Sequence, residues 1–100
     1  MNSKPVVITS NDIMKVSVWD TYVKRTDGLL MHFDILVPTD VIDEQTVFNF
    51  GMDYLRDKSF QTDKLSTKEC RLCHVEHATK NVVEEIESKG YSIIEFENCQ

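Results

Sequence analysis

The chain has 100 residues, 41% of them hydrophobic and 28% charged, with two prolines and three glycines, which is the composition of an ordinary globular domain. At this length a disulfide or metal is not required for folding. A formal net charge of -6 and a pI near 4.9 argue against a partner held by its phosphates, because nucleic-acid binding rests on Lys and Arg displacing counterions, and no basic stripe offsets the acidity. The apolar run from Leu29 to Val37 is interrupted by His32 and Asp34 and is too short to span a bilayer, so no membrane association is expected.

The first residues, Met1 to Ile13, carry one lysine and a three-residue apolar run, Val6 to Ile8, too short for a secretory signal. The expected location is therefore cytoplasmic, where three cysteines, an odd number, stay free or metal-bound rather than paired. The turn formers Thr9, Ser10, Asn11 and Asp12 predict that residues 1–13 form a flexible extension preceding a single domain over 14–100.

From Met14 to Val23 apolar residues alternate with polar ones, with Val16, Val18 and Tyr22 on one face, which predicts a half-buried strand. Arg25-Thr26-Asp27-Gly28 supplies a turn, Gly28 being free to take a positive φ. A second strand follows, with Leu29, Met31, Phe33, Ile35 and Val37 on one face and His32 and Asp34 on the other. If the even positions of the first strand and the odd positions of the second are buried together, Trp19 and Thr21 lie beside His32 and Asp34 on the outer face. Trp19, His32 and Asp34 are thus a candidate surface site, a base oriented by a carboxylate beside an aromatic wall, and Asp20 and Tyr22, on the apolar face of the first strand, are a second and separate candidate, where an acid more often bonds a turn amide. The plainer reading is that they cover the outside of a hairpin.

Pro38 ends the second strand, and Asp40 or Asp43 caps a helix running to about Lys58, with Gly51 marking close packing. Ser59 to Lys64 reads as loop. Asn81 with Glu84 forms a capping pair for a second helix that stops at Lys89-Gly90, and Tyr91 to Glu97 is a last strand. The expected fold is α+β: a small, mainly antiparallel sheet with two helices packed on one face, in the order β-β-α-(β)-α-β.

Between the helices, Cys70-Arg71-Leu72-Cys73-His74-Val75-Glu76-His77 places two thiols, two imidazoles and a carboxylate within eight residues. In a helix, begun by the capping pair Ser66 and Glu69, Cys70, Cys73, His74 and His77 share one stripe and can converge on a metal. In a strand they do not, and the expected form is a short helical turn to Cys70 followed by an extended piece from Arg71 to His77. The metal reading is a zinc site of Cys70 and Cys73 with His74 or His77, completed by Cys99 or His32. One CxxC is half a zinc signature, so the heavier expectation is no cofactor, with buried cysteines beside solvated histidines. The Cys-x-x-Cys-His string also matches c-type haem attachment, which needs an export signal not seen here. A thiol nucleophile paired as Cys73 with His77 is a further reading, weakened because Cys70 would lie a full turn into the helix. No phosphate loop or serine-hydrolase elbow is present.

Three strings, Met14 to Val23, Met31 to Pro38 and Lys68 to Glu76, together with Lys89 to Glu95, resemble a family of small bacterial proteins described as domain of unknown function number two thousand and twenty-four. The resemblance runs from Met14 to about Cys99 and implies an α+β fold without an assigned activity, cofactor or catalytic residue. It covers Asp20-Thr21-Tyr22, Met31 to Asp34 and Cys70 to Glu76, leaving His77 and the first thirteen residues outside. The second functional expectation is a non-enzymatic interaction module, or a homodimer, using the outer hairpin face or an edge strand.

Overall fold

The structure is a computed structural model that describes residues 14–65 and 70–100. The expected extension over 1–13 and the capping pair of Ser66 and Glu69 lie outside the described residues. The elements are β1 (Lys15–Lys24), β2 (Leu30–Pro38), α1 (Glu44–Arg56), β3 (Cys70–His77), α2 (Lys80–Lys89) and β4 (Ser92–Glu97). The four strands form one antiparallel sheet in the order β3-β1-β2-β4. The α+β class and the order of elements are those expected from the sequence.

The hairpin of β1 and β2 closes at Gly28, whose φ of 95° is a conformation side chains resist. Its register sets Asp20 opposite Asp34, Tyr22 opposite His32 and Trp19 opposite Ile35. Ser17, Trp19, Thr21 and Val23 therefore share a face with Met31, Phe33, Ile35 and Val37, and this face is buried under α1. Trp19 is 4% exposed, so the expectation that it lies beside His32 on an outer face is corrected: Asp20 and Tyr22 take that place. The alternation of β1 was misleading because both of its parities are buried at the Val16 end, where the sheet is covered on both sides.

The second cover is α2. Val82, Val83 and Ile86 pack on Val16, Val18 and Leu36, the opposite parity from the α1 core, so the helices lie on opposite faces of the sheet rather than on one. An even-numbered set of only three or four apolar residues is enough to seat a ten-residue helix.

Local chemistry explains both helices. Asp43 caps α1 by accepting from Gln45 N at 3.4 Å, and Thr46 Oγ1 donates to its other oxygen at 2.9 Å. Gly51 faces the sheet, where a Cβ would come within 3.1 Å of Ile35 Cδ1 and Leu65 Cδ2, so its absence sets the helix-to-sheet distance. In α2 the cap is Thr79, which accepts from Val82 N at 3.3 Å, two residues before the Asn81 expected from the sequence. Gly90, at φ 94°, ends the helix by donating to Ile86 O. The C-terminus is clasped: Arg25 Nη1 donates to Asn98 O and Gln100 O, and Lys58 Nζ donates to Glu95 and to Cys99 O. Among the described residues, no helix is long and apolar enough to cross a membrane.

Candidate functional site

Because α2 covers only the Val16, Val18 and Leu36 end of its face, the same parity further along the strands stays open. That stretch carries Asp20 and Tyr22 from β1 and His32 and Asp34 from β2. His32 Nε2 lies 3.6 Å from Asp20 Oδ1 and 3.6 Å from Asp34 Oδ1. Ligating atoms of all three residues fall within 4.8 Å of one another. The distance from His32 is too long for a good hydrogen bond, and both His32 Nε2 and Asp34 Oδ1 are buried without a hydrogen-bond partner among the described residues.

The imidazole is held by its faces, through two stacked ring contacts. Tyr22 stacks on His32 with centroids 4.1 Å apart, and Phe96 stacks at 4.7 Å on the ring's other neighbour side. Tyr22 and Phe96 are themselves 42% and 54% exposed, so the two rings form the outer surface of the cluster.

Two β-bulges complete it. Val18 pairs with His74 and Trp19 with Leu72, which leaves Cys73 as the extra residue of β3. On the other edge His32 pairs with Glu97 and Phe33 with Glu95, which leaves Phe96 as the extra residue of β4. A bulge re-aims the side chain it carries. Phe96 is thereby set on His32, and the exposed Cys73 thiol comes within hydrogen-bonding reach of the Asp20 carboxylate. All four strands contribute.

The charges are uneven. Burial, and then the hydrogen bond and negative charge of Asp20, push the Asp34 carboxyl up to about 7. Asp20 is held below the usual carboxylate range, first by the hydrogen bond it takes from Asp34 and further by His32 and Cys73. The pair behaves as one proton shared by two carboxylates. Desolvation, then the neighbouring Asp20 carboxylate, hold the Cys73 thiol above its ordinary range, which is the wrong direction for a free nucleophile.

The cysteine segment is a strand, as expected from Arg71 onward. Its backbone places Cys70 opposite Thr21 and His77 opposite Lys15, so the two lie at opposite ends of an extended run of about 20 Å. His74 Nδ1 lies 3.3 Å from Cys73 Sγ and His74 Nε2 lies 2.7 Å from Glu76 Oε1. The expected partner of Cys73, His77, is replaced by His74. Cys99 is buried in the core under α1, its Sγ 3.3 Å from His32 O, on the far side of the sheet from the His32 ring. Phe96 was not legible as a site residue, since nothing local marks a bulge or tells which strand β4 joins.

A family model described as domain of unknown function (DUF2024) matches residues 14–96. The NMR structure of protein NE1680 from Nitrosomonas europaea is similar, at 37% identity and a TM-score of 0.71, over 87% of this chain and 100% of that one. Among curated proteins none matches.

Proposed function

The chain belongs to the family described as domain of unknown function (DUF2024), a description that carries no activity, so the function has to be read from its own residues; we propose that Asp20, His32 and Asp34 bind one divalent transition-metal ion of the zinc class. The observation that carries this reading is the unpartnered Asp34 Oδ1, on a side chain only 10% exposed, turned toward an equally unpartnered imidazole nitrogen. Leaving two such groups buried costs each of them roughly 1–3 kcal/mol, a cost that an ion between them offsets.

The spacing fits. Metal bonds of about 2.0–2.1 Å in tetrahedral geometry put neighbouring donor atoms about 3.4 Å apart. The two 3.6 Å separations from His32 Nε2 need to close by only a few tenths of an ångström. Nitrogen and carboxylate donors suit zinc, and the stacked rings of Tyr22 and Phe96 fix the imidazole plane.

Isothermal titration of the metal-free protein with zinc is expected to give one site per chain. His32→Ala and Asp34→Asn are expected to weaken it by more than about 100-fold, a larger loss than removing an outer-shell partner. Binding unchanged in both variants overturns the reading.

A second reading, self-association through β3, has its own observation. β3 is an open edge with Leu72 and Val75 more than half exposed, a row of backbone groups and apolar side chains to which a second copy can pair. The bulge at Cys73 is a device that blunts such edges, which ranks this reading second. Sedimentation of a monomer at all concentrations rejects it.

A further inference from the structure

Three donors leave one tetrahedral position, and what fills it decides whether the centre holds a reactive water or is closed by protein. We infer that Cys73 is the fourth donor, so that the centre is a closed Asp-His-Asp-Cys site suited to thiophilic ions such as zinc, cobalt and cadmium rather than to magnesium or manganese. This rests on the metal reading above and adds to it the identity of the last ligand and the class of ion.

The bulge is the first support. Val18 pairs with His74 and Trp19 with Leu72, so Cys73 has no partner of its own on β1, and its side chain reaches the Asp20 carboxylate on the open face. The inserted residue brings a thiol to the one carboxylate of the cluster that is partly exposed, with a side-chain exposure of 35% against 10% for Asp34. The thiol is exposed and therefore free to change rotamer, and one staggered step about χ1 moves the sulfur by about 3 Å, enough to carry it from Asp20 toward the ion.

The surroundings are the second support. His74 Nδ1, 3.3 Å from the sulfur, is placed to take the thiol proton, and Glu76 holds the opposite ring nitrogen at 2.7 Å. On coordination the S–H bond breaks, a metal–sulfur bond forms, and the proton passes to His74 and then to water. A coordinated thiol is held as thiolate by the ion itself. Thiolate is the donor that separates zinc, cobalt and cadmium from harder ions. Cys99, sealed under α1, cannot serve, and His77 lies at the distant end of β3.

Cobalt(II) is the probe. Titrated into the reduced protein it should produce intense near-ultraviolet thiolate-to-cobalt charge transfer together with the visible bands of a tetrahedral ion. Cys73→Ser should abolish the charge-transfer absorption and weaken cobalt at least about tenfold, while Cys70→Ser and Cys99→Ser keep both. Cobalt bound without charge transfer, or with charge transfer that survives in Cys73→Ser, overturns the assignment of the fourth ligand and leaves the three-residue centre standing. Absence of any cobalt binding overturns that centre, and the assignment with it.

Discussion

Asp20 and Asp34 stand opposite each other on neighbouring antiparallel strands, with the His32 imidazole 3.6 Å from both, so the protein holds two carboxylates where one charge is favourable. Burial and the facing Asp20 push Asp34 up to about 7, well above an unfolded carboxyl near 4. Between those values the folded chain keeps a proton that the unfolded chain has shed. The stability given by protonated Asp34 is therefore complete below about pH 4 and lost as pH rises toward 7. Asp34→Asn, whose amide donates to Asp20 at every pH, should flatten this loss and make the metal-free protein more stable than wild type at pH 8. Urea midpoints at pH 4.5 and 8 check it.

Trp19 and Tyr22 have changed places relative to a simple reading of alternation. Trp19, 4% exposed under α1, should cost about 3–5 kcal/mol when replaced by alanine. Tyr22→Ala should cost only about 1 kcal/mol, the value of its stack on His32. Equilibrium unfolding of the two variants distinguishes them.

Gly90 carries a φ of 94° at the end of α2, and Phe50 Cζ would lie 3.4 Å from an added Cβ. Gly90→Ala is expected to cost about 1–2 kcal/mol, the penalty of a left-handed alanine. Gly90→Asn should recover part of the loss, since asparagine tolerates that region better.

Lys58 donates to Glu95 at 2.6 Å, and Tyr54 donates to the same carboxylate. Lys58 first, then Tyr54, lower the Glu95 pKa, so its contribution is present above the ordinary carboxylate range and fades as pH falls through the folded value. Glu95 is 37% exposed and well screened, so Glu95→Gln should cost less than about 1 kcal/mol at pH 7, with the difference shrinking as pH falls below the ordinary carboxylate range. Acid titration followed by circular dichroism reads this out.

The elements were legible because their signals are local. The turn at Gly28, the cap at Asp43, the stop at Gly90 and the odd-numbered apolar run of β2 each identify themselves within a few residues. The site was only half legible. His32 and Asp34 stand out as polar residues in an apolar strand, but their true companions depend on register: one step of pairing exchanges Trp19 for Asp20. Cys73 drew attention for its neighbours in sequence, whereas its place beside Asp20 comes from a bulge opposite β1, a long-range feature. Phe96 is hidden for the same reason at the other edge.

The most direct test is a zinc titration of the metal-free, isotope-labelled protein followed by NMR. Saturable shifts at one equivalent are expected, largest in the amides of Asp20, His32 and Asp34 and in the His32 ring, with Cys73 following. Shifts confined to β3, or none on β2 at excess zinc, would contradict the metal reading.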